Sequence, residues 1–370
     1  MTSLLPSNSG HFEKAIEAAH AERWIRMGGA VPAITTSKEN PPPSFLPFLV
    51  WEYGLGMLTP YVDNLYEVID EGVRWHRIRG TYAGVKKGLG FVGVTATLEP
   101  AWHGRAWWNS NQLRFDELPE NDSPLLQRIE GITRLSLPFR SDLRRGVYAY
   151  DIEPLQGDHN RLDDTHLDVE SGARLYDGGT LWSFGRTTEI EHTLTEAEGT
   201  AIGNWIEVPE DGGIPWASMI YPWATATFGW ADNPQTQRRE LMSAWFLLQG
   251  IYLMLKDADD DVIGYRRVRA VHAVSTQFGG QYEFGGEAYA PSESGTRVYI
   301  EAMTDFKDAY DVEAASVSIV TTLTRADGIP AGRLWLRPQD VTAATAFAET
   351  EVALPLRKTV RERIKFLVRF

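Results

Sequence analysis

Apolar positions along the chain change their period near residue 90. Before that point they return every three or four residues, as on one face of a helix. Beyond it, short apolar–polar alternations sit between turn residues, as in half-buried strands. The first pattern predicts a helix over 9–27. Ser9 stands at its cap, Phe12, Ile16, Ala19 and Met27 fall near one face, and Gly28-Gly29 would end it.

A polar, proline-rich stretch follows, TTSKENPPPS. Ser44 then predicts the cap of a short helix through Trp51, with Pro47 tolerated in its first turn. That segment is apolar nearly all round, so burial is expected. The clearest helical pattern covers 59–79, where Val62, Leu65, Ile69, Val73 and His76 form a heptad-like stripe. Asp63, Glu67, Asp70 and Glu71 precede Arg74, Arg77 and Arg79, an order that complements the helix dipole.

The next stretch, RGTYAGVKKGLG, sets glycines beside lysines, as a phosphate cradle does. A Walker loop, however, needs G-x-x-x-x-G-K-[ST] after a strand, and no Ser or Thr follows Lys86-Lys87. The dinucleotide pattern G-x-G-x-x-G is also absent. Gly80 fits better as the positive-φ residue closing the long helix. Thr81 would cap a two-turn helix, with Gly88 and Gly90 releasing the chain into a strand, FVGVTATLE.

Further candidate strands are GITRLSLPF, RRGVYAYDI, NWIEVPEDGG, VIGYRRVRAVHAVS, TRVYIEAM and ASVSIVTTL. The expectation is an α+β chain: a helical domain over 1–100, a mixed, turn-rich connector with short strands over 101–200, and a β-rich, sandwich-like domain over 201–370. The turn-rich passage 156–185 carries a weak internal echo, Arg161-Leu-Asp and Arg174-Leu-Tyr-Asp.

Charge adds one feature. The chain carries −14 overall, which disfavours nucleic acid, yet LRKTVRERIKFLVRF holds six basic residues against one acidic. Leu356, Val360, Ile364 and Leu367 recur there at helical spacing, with strand as the alternative. Such a tail, with Arg357, Arg361 and Phe370, suits docking on a partner. It suits equally folding back on the chain's own acidic surface.

No signal peptide or membrane span is expected, since FLPFLVWEYGLGML is short and interrupted by Glu52. Without Cys, thiolate metal sites and Cys nucleophiles are excluded. No G-x-S-x-G or H-E-x-x-H pattern exists, and the acidic KDADDDVIG has Val262 at the EF-hand glycine position. No cofactor, metal or catalytic constellation is expected, hence no enzyme. The alternative reading is a carbohydrate-binding or carbohydrate-active β protein. Asp163, Asp164, Asp168 and Glu170 lie close in sequence to Tyr176 and Trp182, the stretch AWHGRAWW could stack sugars, and Trp is abundant at thirteen.

The series SFLPFLVWEYGL, a long amphipathic helix, HRIRGTYAGVKKGLG and a strand resembles the phage tail protein I family. The positions that carry the resemblance are Leu46, Pro47, Leu49, Trp51, His76, Arg77, Arg79, Gly80, Thr81 and Val85, with SLLPSN at the start. Ile78 and Arg79, and the glycines at 88 and 90, depart from the family's usual residues. The resemblance covers about the first hundred residues and loosely 160–182, but not the β-rich part.

It implies a structural component of a contractile-tail baseplate wedge, in the virion tail and assembled in the host cytoplasm. Partners implied are other wedge proteins, a tail fibre or fibre-attachment protein, and a hub or sheath-initiating protein, in a six-fold repeated hetero-oligomer. Interface candidates are then Trp51, the stripe Val62, Leu65, Ile69, Val73 and His76, the turn residues Arg79 and Gly80, and the tail residues Arg357, Val360, Arg361, Ile364 and Phe370.

Overall fold

The computed structural model describes residues 4–36, 41–62, 64–101, 109–149, 171–207 and 234–370, without the side chains of Trp24, Val31, 33–36, Pro234 and Gln237. It divides into two units, Met1–Thr95 with Gln127–Asp142, and Ala96–Leu126 with Leu143–Phe370.

The first unit is helical: α1 (His11–Thr36), α2 (Leu46–Glu52), α3 (Leu65–Ile78), α4 (Tyr82–Phe91) and most of α5 (Leu125–Ser136). Its core holds Leu49, Leu55, Leu58, Val68, Trp75, Leu89 and Ile132, all essentially inaccessible to solvent. α3 is shorter than its sequence pattern, because Asn64 caps it by accepting the Tyr66 N–H at 3.0 Å. Its buried face is Val68, Gly72 and Trp75, one step round the helix from Ile69, Val73 and His76. α1 runs past Gly28 and Gly29 to Thr36, and neither glycine takes the positive φ that would stop it.

Two other expectations change. GITRLSLPF is not a strand; its first six residues lie in α5, where Ile129, Ile132 and Ser136 recur at helical spacing and are buried. Gly131 admits the Tyr61 ring, whose hydroxyl would stand 2.3 Å from a β-carbon there. Gly88 and Gly90 do not release the chain, since α4 continues to Phe91 and Gly93 turns it at φ +70°. The strand of FVGVTATLE therefore starts only at Ala96.

The second unit opens with β1 (Ala96–Pro100), β2 (Ser110–Phe115), β3 (Asp142–Tyr148), β4 (Ala173–Arg174) and β5 (Leu181–Thr193). Next come α6 (Glu196–Ile202), α7 (Pro234–Phe246), β6 (Tyr252–Lys256), β7 (Val262–Arg267), β8 (Ala270–Thr276), β9 (Tyr282–Phe284) and β10 (Glu287–Pro291). It closes with β11 (Arg297–Met303), β12 (Val312–Arg325), β13 (Trp335–Leu336), β14 (Val341–Leu356) and β15 (Val360–Arg369). Among the described residues a ten-stranded sheet has the order β1-β2-β3-β5-β15-β11-β8-β10-β9, with β4 on β5. A five-stranded sheet has the order β13-β7-β6-β12-β14. One core joins both: Ile190, Val298, Ile300, Ile364 and Phe366 from the first meet Leu253, Leu255, Val317, Ile319 and Phe347 from the second. That is a sandwich, so the α+β expectation with a sandwich-like β part holds. The acidic KDADDDVIG is a turn between β6 and β7, with Asp257 accepting the N–H groups of Asp259 and Asp261.

The basic end is strand, not helix. β15 runs parallel to β5 and antiparallel to β11 at the centre of the large sheet. Ile364, Phe366 and Val368 point into the inter-sheet core, while Leu367 packs with Val274 and Tyr299 on the other face. Burial on both faces also takes in Arg361, Glu362 and Lys365, which are ion-paired with Asp305, Arg186 and Glu189. The spacing of four between Val360 and Ile364 is even, so it also places them on one side of β15, whereas Leu356 ends β14.

Candidate partner interface

The turn after α3 is built as its sequence suggests. Gly80 takes φ +86°, and its N–H reaches the Ser136 carbonyl at 2.8 Å. Thr81 caps α4 by accepting the Gly84 N–H at 3.2 Å. Arg79 donates through Nε to the Leu135 carbonyl at 2.6 Å and lies over the Trp75 ring, 5.5 Å from its centroid. These contacts lock α3, α4 and α5 together, so Arg79 and Gly80 have internal roles within the first unit.

The glycines of this motif hold helices close. A β-carbon on Gly84 would stand 2.5 Å from the Ile78 carbonyl oxygen, and one on Gly88 at 2.5 Å from Ser136 Oγ. Ser136 itself accepts from Trp75 Nε1 at 2.9 Å and donates to the Ile132 carbonyl at 2.7 Å. Lys87 ion-pairs with Glu71 of α3, which lowers the Glu71 carboxyl below its ordinary range. With one lysine already paired and no strand before it, the stretch is a helix-packing motif.

Around this packed centre, large apolar side chains face solvent. Trp51 is 84% exposed and Phe48 65%, although both lie on a helix expected to be buried all round. Leu46, Leu49 and Val50 are the residues of α2 that are buried. Ser44 gives α2 no cap; Phe45 holds the N-cap position without a side-chain bond. On α1, Phe12, Ile16, Ile25 and Met27 are all exposed, and no described residue of this helix is buried. Of the stripe, Val62 is buried, Leu65, Ile69 and Val73 are half-buried, and His76 is exposed.

The basic tail has a different setting. Arg357 donates to Asp122 at 2.8 and 2.5 Å and to the Pro119 carbonyl at 2.5 Å, and Thr359 Oγ1 joins the same carboxylate at 2.6 Å. Val360, Arg361 and Ile364 are buried, and Phe370 packs against Phe246 with ring centroids 5.8 Å apart. Glu362, inside the sheet, is pushed up by burial while Arg186 pulls it down at 2.5 Å. Arg357, Arg361, Arg363, Lys365 and Arg369 are thus each ion-paired with an acidic residue of their own unit.

The carbohydrate reading gains nothing here. Asp163, Asp164, Asp168, Glu170 and most of AWHGRAWW lie outside the described residues. Trp182 is fully buried, with its ring against Phe115 and Phe184. NWIEVPEDGG forms no strand at 204–207 and continues outside them.

Of the exposed aromatic residues on α1 and α2, Trp51 was among the interface candidates, but Phe12 and Phe48 were not, because apolar periodicity does not say which face finds a cover. Comparison with known proteins supplies the context. Residues 5–133 match the family described as Phage tail protein (Tail_P2_I). Residues 256–370 match the one described as Baseplate wedge 3 tail fiber network component. No curated protein matches the chain. The first match spans the helical elements with their glycine motif, the second runs from the end of β6 through β15, and together they make the chain a phage tail protein of the baseplate wedge.

Proposed function

We propose that the chain is a structural wedge component that joins other baseplate proteins through its helical unit and meets the tail fibre network through its β unit. What carries this reading is α1. A helix of 26 residues with Phe12, Ile16, Ile25 and Met27 exposed has no core of its own. In water such a helix gains most of its stability from packing an apolar face, so it calls for a partner. Trp51 and Phe48 on α2 extend the same demand, and Trp is a frequent anchor in protein interfaces.

On this reading the helices enter a bundle shared with other wedge chains, repeated six-fold round a hub and formed in the host cytoplasm before the tail is complete. Ile69, Val73 and His76 would then lie at its margin, and contact with a hub or sheath-initiating protein would come through the same unit. The β unit takes the fibre side, because the family matching 256–370 is named for a tail fibre network. The test is a native particle carrying a tagged chain, imaged in negative stain. Label in six-fold array at the baseplate is expected; label absent from tails, or along the tube, would overturn the proposal.

A further inference from the structure

Among the described residues β5 lacks a strand along most of one edge. β15 pairs with it from Phe184 to Thr193, but on the other side β3 reaches only from Leu181 to Phe184. β3 ends at Tyr148, and Ala149 after it takes φ +42°, with its carbonyl oxygen where a β-carbon on Gly185 would stand. Among the described residues the backbone from Arg186 to Glu191 therefore has no neighbour on this side. β14 ends the smaller sheet, with β12 as its partner there.

These two edges face one groove of about 550 Å³, lined by Arg186, Thr187, Thr188, Glu189, Ile190 and Glu191 and by 350–354 of β14. Its ends are clasped. Arg186 donates to the Pro355 carbonyl at 2.9 Å, and Glu198 accepts the Ala348 N–H at 3.0 Å. The β12–β14 register shifts between Ala314 and Ser316, a bulge at 352–353 that spoils β14 for regular pairing. β5 is thus the pairing edge and β14 the wall.

We infer that the groove receives an extended segment of another baseplate chain, which adds a strand to β5. The reading rests on the baseplate assignment above. Such strand addition draws its affinity from main-chain hydrogen bonds and its selectivity from alternate side chains. Arg186 to Glu191 spans about 20 Å, room for a short strand. The rim fixes the charge of the segment. Arg186, Glu189 and Glu191 are paired with Glu362, Lys365 and Arg369, whereas Glu351 has no ion-pair partner among the described residues. On a chain of net charge −14, the complement is an extended segment with Lys or Arg opposite Glu351.

The chain has no Cys, so Thr187→Cys, at an exposed position, introduces a single thiol on the rim. Purified tails carrying this variant are treated with a short thiol-to-amine cross-linker, and amide exchange at 186–191 is compared between tails and the free chain. The expected result is a cross-linked product with a different baseplate protein, together with slow exchange at alternate amides of 186–191 in tails only. A product with a second copy, an intrachain link alone, no product, or equal exchange in both samples would each overturn the inference. The variant chain present in tails without the product sinks only the groove; its absence from tails, with wild type also absent, sinks the baseplate reading too.

Discussion

Trp75 Nε1 donates to Ser136 Oγ at 2.9 Å, and Gly88 leaves the space beside that hydroxyl empty. The pair ties α3 to α5 with α4 lying across them. A methyl at Gly88 has to displace Ser136 or Ile132, both buried. Gly88→Ala is therefore expected to destabilise the helical unit by about 1–3 kcal/mol. Gly90→Ala, in the same helix with nothing within 4 Å of its β-carbon, should be neutral or stabilising by roughly 0.5–1 kcal/mol. Urea denaturation of the full chain, followed through Trp fluorescence, separates them; equal losses would refute the packing role.

At Gly80 the penalty is conformational. Its β-carbon would meet nothing within 4 Å, but φ is +86°. Gly80→Val should cost about 1–2 kcal/mol and Gly80→Asn distinctly less, since Asn tolerates left-handed backbone. Thermal melts in which both variants fall equally would point to a steric cause instead.

Trp51 offers the reverse case. With 84% of its surface exposed, Trp51→Ser should change the stability of the free chain by less than about 0.5 kcal/mol. Incorporation into tails, read from band intensity against wild type, should drop several-fold. Normal incorporation would remove Trp51 from the interface.

Glu198 carries a pH signature. Burial opposes its charge, but the backbone N–H and hydroxyl of Thr195, His192 and the Ala348 N–H outweigh it and hold the carboxyl at about 2. Its folded value lies below the ordinary carboxylate range, so the ionised form stabilises the fold above that range. The contribution is lost as pH falls through about 2. It amounts to roughly 2–3 kcal/mol. Glu198→Gln should thus be less stable than wild type at pH 7, with the gap closing towards pH 2. A gap of constant size across this range would mean that the charge is not the cause.

Removing 357–370 deletes the strand between β5 and β11, together with the Arg357–Asp122 link. The β unit is expected to lose its cooperative melt altogether. A truncated chain that keeps the wild-type transition would show β15 to be dispensable.

The change from helices to a first strand near Ala96 was legible because the apolar period changes there, and Gly80 and Thr81 were legible because caps have local chemistry. What escaped had non-local causes. Ile129 and Ile132 sit three apart in an otherwise β-favouring stretch, and only packing against the Tyr61 side selects helix. Val360 and Ile364 satisfy both periods, and the choice fell to neighbours far away in sequence. Of the interface candidates, Trp51 could be seen as an aromatic residue but not as an exposed one. Arg361, at 3% exposure, could be seen as basic but not as buried.

The parallel pairing of β5 with β15 also sets an order on synthesis. Arg186 meets Glu362 from 176 positions away. Until residues 360–369 leave the ribosome, the large sheet exists as two fragments, one ending at β5 and the other at β11. Both then carry raw inner edges and an uncovered apolar face, the state most prone to aggregate. Closure of so distant a pair is slow, and it comes after every other described strand of the two sheets has been made. A ribosome that stalls before residues 360–369 have emerged therefore leaves a sticky half-sheet rather than a shortened but usable subunit.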